Sequence, residues 1–543
     1  MAARKIAGGI LGAAGLITVL TLATRAVGFV RWLVQSWTLG SSEAAQAYET
    51  ANRLPNILFE VAAGGALAGA VVPLLAVPLA RELRRDVDRT ASALLGWTLC
   101  VLVPLALVVA LLARPLAGLM LGSAVPGETQ DLTVTFLRIF AVQIPLYGIG
   151  VVLSGILQAQ QRFFWPALAP LLSSAVVITS YAAFGALADG RQNDPASLSL
   201  AAVVVVGWGT TAGVAVMSLC QLGPVLRSGV RLRPAVRFPP GVGRRARHLA
   251  AAGLGALLAQ QVSVLVAVYL ANGFGQTGTV NVYGYAQAVY FLPYAVLAVP
   301  LSTAVFPRLS ERAGTGDSTG FAAMAGGSTR LVVAAGLVGA AVLVAAAPAA
   351  TAVFSLQHEM PGMTGAITAF APGLVGYALI FHVSRALYAV DQGRAAVAAT
   401  ASGWLVVSAG SVVGVNLLVP DGGDGPATLL VLAAASSIGM TVAGALLVLA
   451  LRRTAGRLGG LRRTVAVGLL GATAGAAAGR LVTDLLLDVL GTGGVGSVVA
   501  GVSGGLLGAG LPALAVLAGD AGTWRLNRWT TRRPETGDPG EHA

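Results

Sequence analysis

Charge is what this sequence has least of. Only 10% of its 543 residues are charged, while 56% are hydrophobic; soluble domains carry roughly 25% charged residues. A chain this poor in charge cannot clothe a soluble fold of its length. Cysteine and histidine are also sparse. Cys100 and Cys220 sit inside apolar runs, without the spacing of a metal site or a redox pair, and read as small buried residues. His248, His358 and His542 fall at segment edges or in the tail and read as solvated. No His-Glu-x-x-His pair and no Gly-Lys-Ser/Thr phosphate loop occurs, and no paired acids sit on a loop. The sequence therefore offers no basis for an enzyme, a cofactor or a metal, and no element that would bind ATP. Short segments of alternating hydrophobicity, the mark of a membrane β-barrel, are missing as well.

Long apolar runs recur from end to end instead, and mean hydropathy is +0.79. Runs of about 20 apolar residues span a bilayer as helices, because helices satisfy their own backbone hydrogen bonds. About fourteen such segments can be marked, so the expected fold class is an all-α polytopic membrane protein. The basic Arg4-Lys5 start resembles a signal peptide, but no convincing cleavage site follows, and the first run reads as a retained helix. The net charge of +13 does not point to nucleic acid, because the basic residues gather in short gaps between apolar runs. Arg81, Arg84, Arg85 and Arg89 fill the second gap. Arg227 through Arg247 fill the sixth, and Arg452 through Arg463 the twelfth. Odd-numbered gaps hold mainly acids, such as Glu128, Asp131, Asp421 and Asp424, with Arg191 the exception. By the positive-inside rule both termini and the even gaps face the cytoplasm.

A repeat underlies the pattern. Leu54-Pro55 and Val72-Pro73 have counterparts in Leu292-Pro293 and Phe306-Pro307. Phe140-Ala141, Tyr147, Ser154, Leu157 and Ala159 align without gaps on Phe370-Ala371, Tyr377, Ser384, Leu387 and Ala389. The expected organisation is an N-terminal six-helix lobe at 1–226, a basic linker at 227–247 and a second six-helix lobe at 248–451. An extra helix pair at 452–519 and a cytoplasmic tail at 520–543 complete it. Repeats with an even number of spans share orientation and are related by an axis along the membrane normal.

The chemistry concentrates in residues 23–76. Arg25 and Arg31 lie in the first apolar segment, and Asn52, Arg53, Asn56 and Glu60 lie in the second, around Pro55. A charged side chain at mid-bilayer costs on the order of 3 kcal/mol. Arg25 or Arg31 alone could snorkel to a membrane surface, but the set implies a wet or protein-lined interior. Arginine suits binding of a phosphate group because its planar fork donates in pairs and keeps its charge. Glu49 and Glu60 are the only obvious acids near these cations, and Glu60 is expected to orient an arginine by pairing. Gln260 and Gln261, with His382 and Arg385 more weakly, are further candidates for a polar path. Pro55, Pro73, Pro145, Pro293 and Pro307 supply bends, and Gly64, Gly65 and Gly69 allow close helix contacts or serve ordinary packing.

These residues carry a family likeness. Thr24-Arg25-Ala26-Val27-Gly28-Phe29-Val30-Arg31, Arg53-Leu54-Pro55-Asn56 and Val72-Pro73-Leu74-Leu75 resemble the opening signature of the MurJ (MviN) family. Gly155-Ile156-Leu157, Arg162-Phe163 and Pro166-Ala167-Leu168-Ala169-Pro170 resemble its fourth-to-fifth-span motif. The resemblance implies a lipid II flippase of the MOP exporter superfamily with two six-helix lobes and a C-terminal helix pair. Implied partners are lipid II or a similar polyprenyl-linked glycolipid, membrane lipids and cell-wall synthesis proteins. The implied substrate-binding residues are Arg25, Arg31, Arg53, Asn52, Asn56, Glu60 and Gln287. The sequence departs from the family at Gln46, where an acid is common, at Phe59, where arginine is common, and at Gln287-Ala288, where Asp-Arg is common. Competing readings are export of another lipid-linked glycan or of a small molecule, and a non-transporting membrane scaffold.

Overall fold

The computed structural model describes residues 2–61, 68–122, 125–239, 242–243, 254–456 and 458–520, with side chains from residue 19 onward except those of 68–70, 77 and 254. Gly64, Gly65, the linker residues Arg244, Arg245 and Arg247, His248, His542 and the tail arginines lie outside the described residues.

No strand occurs among the described residues. The first helices are α1 (Ala2–Thr38), α2 (Glu43–Phe59), α3 (Ala68–Ala80), α4 (Arg84–Leu111), α5 (Ala113–Leu121), α6 (Gly127–Ala141), α7 (Gln143–Ala159), α8 (Phe164–Ala188), α9 (Leu200–Leu219) and α10 (Leu222–Arg227). After the linker come α11 (Leu254–Gly273), α12 (Thr279–Pro293), α13 (Val299–Gly314), α14 (Ser318–Phe354), α15 (Met363–Phe370), α16 (Gly373–Ala389), α17 (Gly393–Leu418), α18 (Gly425–Ala455), α19 (Leu461–Leu490) and α20 (Gly494–Gly519).

Among the described residues eleven helical stretches are long and apolar enough to cross a membrane, and α15 with α16, bent by 47°, make a twelfth. The expected count of about fourteen refers to the whole chain, of which these are the spans within the described residues. Glu43, Glu49 and Arg53 interrupt the apolar length of α2, and residues 62–67 between α2 and α3 lie outside the described residues. Large apolar side chains cover the outside of the candidate spans. Leu111 is 80% exposed and Val489 is 79% exposed, which water would penalise and lipid does not.

Two compact units can be distinguished. The first comprises Met1–Ala288, Val353–Ala366 and Val407–Ala435, and so takes in stretches on both sides of the basic linker. Its centre is Tyr48 on α2, fully buried with edge-on contacts to Phe136, Phe140 and Tyr181. The turn into α2 is set by Gly40 at φ +69° and by Ser42, whose hydroxyl caps the helix by accepting from the Ala45 N–H at 3.1 Å. Gly278, at φ +77°, stands where any Cβ would collide with the Ser41 backbone, so only glycine allows this approach.

The second unit comprises Val289–Ala352, Ile367–Val406 and Ser436–Ala543. Pro293 ends α12, and a π-helical turn over Tyr294–Ala298 absorbs the lost backbone donor. Tyr290, Phe291, Tyr294, Tyr377 and Phe381 pack there as one aromatic cluster. Gly471, Gly475 and Gly479 of α19 face α20 so closely that an added Cβ would meet its backbone. Small residues let helices approach in lipid, where hydrophobic burial no longer drives association. Arg330 pairs with Asp520, and Thr464 bonds both, which ties the end of α20 to α14 and α19.

The aligned stretches of the repeat end alike. α7 stops at Ala159 and α16 at Ala389. Each is followed by a left-handed residue at the aligned position, Gln161 at φ +62° and Asp391 at φ +58°. Each stretch closes with the same bonds: Arg162 N–H to Leu157 O at 2.8 Å and Gln392 N–H to Leu387 O at 2.9 Å. This is the Schellman closure, which satisfies carbonyls left open at a helix end.

Candidate functional site

The seven residues expected to bind substrate all lie in the first unit, on α1, α2 and α12 or, for Glu60, just beyond the end of α2. Arg53 is anchored by Glu49, one turn earlier, with Nη2 2.6 Å from Oε1. The side chains are only 18% and 6% exposed. Glu49 Oε2 accepts from Gln35 Nε2 at 3.2 Å. Gln35 Oε1 in turn accepts from the Tyr181 hydroxyl at 3.3 Å, which fixes which way the amide points. Tyr181 shares a 2.9 Å bond with Tyr48, and Tyr48 shares another with Thr210. The carboxylate is thus the end of a buried polar chain running back into the helical core. Among the described residues Arg53 Nε and Nη2 have no partner in hydrogen-bond geometry, even though Nη2 is in ionic contact with Glu49. The close pair therefore leaves donor capacity on the guanidinium. Gly284 supplies the room: an added Cβ would lie 2.9 Å from Arg53 Nη2 and 3.6 Å from the Trp32 ring.

Arg31 is half-buried, with its guanidinium carbon 5.8 Å from the centre of the Trp32 ring. It makes no ion pair among the described residues. Arg25 is exposed. Asn56 donates to the Asn52 carbonyl at 2.8 Å and accepts from the Tyr147 hydroxyl at 3.1 Å, whereas Asn52 Oδ1 is buried without a partner. Gln287 is half-buried one turn beyond the Asn281–Tyr285 contacts described below. Glu60 is exposed and forms no ion pair among the described residues. The expected pairing of Glu60 with an arginine is replaced by the Glu49–Arg53 pair, because the i, i+4 spacing of Glu before Arg puts those two on one helix face.

A second polar group lies one turn toward the start of α2. Gln46 donates to Asn272 Oδ1 at 3.0 Å and accepts from the Gly278 N–H at 3.4 Å. Asn272 Nδ2 donates to Thr50 Oγ1 and to the Met120 carbonyl, each at 3.0 Å. Asn281 bonds the Ala45 carbonyl and Tyr285 the Gly40 carbonyl, both at 3.0 Å. A neutral amide at position 46 suits this geometry because its nitrogen must donate. Phe59 lies against Tyr147 at 4.5 Å between ring centres. Phe59, Tyr147, Ser154, Gln158, Met217 and Gln221 line a cleft of about 240 Å³, smaller than the roughly 300 Å³ at which drug-sized ligand sites begin.

In the second unit His382 and Arg385 do not act as a pair. His382 is buried with Nε2 3.0 Å from Ser328 Oγ. Arg385 lies 3.8 Å from the centre of the Phe381 ring and donates to Thr303 at 3.4 Å. His358 is half-buried against Gly40 rather than fully solvated, and this burial lowers its pKa below the usual histidine value.

The long apolar helices and the polar elbow among them define a multi-pass helical membrane protein. The chain covers 93% of its own length and 99% of a solved structure described as "Lipid II flippase MurJ, inward closed conformation", with a TM-score of 0.70 and 16% identity. An inward-facing MATE-family multidrug transporter of the MOP superfamily gives a TM-score of 0.62 at 15% identity, over 81% of this chain and 98% of that one. The family profile "Lipid II flippase MurJ" matches residues 36–502, and the chain belongs to that family. The lipid II flippase MurJ of Burkholderia cenocepacia is 27% identical over 387 residues, which is 68% of this chain and 71% of that protein. The probable lipid II flippase MurJ of Rhizobium meliloti is 28% identical over 306 residues, about half of each chain, at 54% and 53%.

Proposed function

We infer that this protein is a lipid II flippase: it moves a polyprenyl-pyrophosphate-linked peptidoglycan precursor across the bacterial cytoplasmic membrane by alternating access. The observation that carries the reading is the family match over residues 36–502. The chemistry of the elbow agrees with it, since an anionic head group needs cationic donors in a low-dielectric setting. Arg31 and Arg53 are assigned the head group first and Arg25 next, with Asn52, Asn56 and Gln287 as neutral partners. Glu60 is kept as a polar neighbour of this path. The arginine alternation supports cytoplasmic termini, and the repeat supports two lobes at 1–226 and 248–451 that exchange inward- and outward-open forms. Cell-wall synthesis proteins are the partners this role implies. Export of a cationic small molecule is disfavoured by the excess of arginine at the elbow: Glu49 is paired with Arg53, which leaves Glu60 alone beside Arg25 and Arg31.

The test is rescue of a bacterium depleted of its own lipid II flippase. Expression of this chain should restore growth and the arrival of lipid II at the outer leaflet. Correct insertion without rescue would favour a scaffold or another lipid-linked substrate.

A further inference from the structure

We propose that Glu49 is a positioning residue that acts as a built-in counter-ion for Arg53, holding its guanidinium until an anionic pyrophosphate oxygen takes the carboxylate's place. This rests on the function inferred above, and it concerns a residue outside the cationic set assigned to the substrate.

Three observations carry the inference. First, the carboxylate is fixed and the arginine is the adjustable partner. Glu49 is 4% exposed and Gln35 2%, and Gln35 is oriented by Tyr181, which is itself held by Tyr48. Arg53 stands at the open end of this chain with a long side chain that can swing. Second, the pair is close but incompletely bonded. Nη2 and Oε1 are 2.6 Å apart, yet Nη2 and Nε lack a partner in hydrogen-bond geometry. A guanidinium carries five donors, and a phosphate group offers oxygens in the bidentate arrangement that a single carboxylate oxygen does not. Third, the resting pair is closely held: an added Cβ on Gly284 would lie 2.9 Å from Arg53 Nη2 and 3.5 Å from Glu49 Oε1, so the guanidinium is packed against its counter-ion in the empty protein and swings out to meet an anion. An arginine without a counter-ion in the membrane interior would be costly in the empty protein. One whose charge stayed neutralised by a fixed carboxylate would attract an anionic substrate only weakly. Glu49 meets both demands by competing with the substrate for one cation.

The competition makes a prediction that a structural role does not. Glu49→Gln keeps the shape of the side chain and its contact with Gln35 but removes the charge that holds Arg53. Binding of farnesyl pyrophosphate to the purified protein in nanodiscs should tighten by roughly tenfold, within the usual range of coupling between sites. Uncharged farnesol should show no change. Turnover should fall at the same time, because the released arginine no longer hands the anion back. Glu49→Gln should melt earlier than wild type when empty and regain more of the loss on adding farnesyl pyrophosphate. Arg53→Ala should bind weakly, and Glu49→Gln should add nothing in that background. Glu49→Asp, with the charge kept on a shorter stem, serves if Glu49→Gln folds poorly and should bind like wild type. Unchanged or weakened pyrophosphate binding in Glu49→Gln would overturn the inference, whatever the rescue result. Tightened binding in a protein that fails to rescue flippase-depleted cells would sustain the counter-ion role and overturn the lipid II assignment instead.

Discussion

Arg31 and Arg53 should separate stability from transport. Arg53→Ala leaves Glu49 buried with only the Gln35 amide as donor, since the 2.6 Å ionic contact is gone. Removing one partner of a buried ion pair costs about 3–5 kcal/mol, because the orphaned carboxylate can neither reach water nor find another cation. Arg31 has no such dependent. Its marked contact is with the Trp32 ring at 5.8 Å, and a cation–π contact contributes about 0.5–2 kcal/mol depending on desolvation. Thermal unfolding of purified variants in detergent should therefore show a large loss for Arg53→Ala and a small one for Arg31→Ala. The double change Glu49→Ala with Arg53→Ala should recover much of the stability, since no buried charge is left unpaired. In the flippase-depletion strain, Arg31→Ala and Arg53→Ala should both fail to rescue at normal protein levels. Arg31→Lys should retain part of the activity, as a point charge replaces a fork. The stabilised double variant should still fail. Full rescue by both alanine variants would refute the reasoning and leave these arginines a structural role only.

Other outcomes follow from separate parts of the chain. Gln46→Leu strips Asn272 of its donor and the Gly278 N–H of its acceptor, and should lower stability by about 1–2 kcal/mol, read as an earlier melt that Asn272→Ala does not deepen additively. His358 docks near Gly40 with its pKa lowered by burial. The docked, neutral form is therefore at full strength above about pH 6.5 and weakens as pH falls from there toward the lowered value. The protection factors of residues 355–362, with the intrinsic exchange rate divided out, should fall on acidification through that window, and His358→Asn should remove the dependence. In a background lacking Cys100 and Cys220, single cysteines at Gly127 and Gly423 should react with an impermeant thiol reagent on intact cells and one at Ser228 should not; labelling at 228 would reverse the orientation.

The membrane class was legible in the scarcity of charge, because apolar length is a local property of sequence. The repeat was also legible at the level of spacing. Leu157 and Leu387 end their helices through the same closure because the residues that follow, Gln161 and Asp391, take the same left-handed turn. The Glu49–Arg53 pair was readable in principle from its i, i+4 spacing, yet charge counting favoured Glu60, which is exposed. Gln35 could not be found that way. A single glutamine in an apolar helix has no periodic signature, and its partners Glu49 and Tyr181 lie 14 and 146 positions away in the sequence. Asn272 is 226 positions from Gln46, and nothing local marks the two as partners.

The departures from the family sequence bear on which cation meets the substrate first. Gln46 has its amide oxygen and nitrogen both bonded, so the neutral residue leaves no unmet demand for the acid that relatives commonly carry. Phe59 packs on Tyr147 with ring centres 4.5 Å apart, so an apolar ring is accommodated where relatives commonly carry arginine. These two positions are therefore locally consistent without charge. What remains on α1 and α2 within the described elbow is Arg25, Arg31 and Arg53, and they are not equivalent. Arg53 is largely neutralised by Glu49, and Arg25 is exposed. Arg31 is half-buried without an acidic partner. An incoming anion gains most from the cation whose charge is least compensated and already withdrawn from solvent. On the function proposed above, Arg31 is the group expected to make first capture, and Arg53 the group expected to join once its counter-ion is displaced.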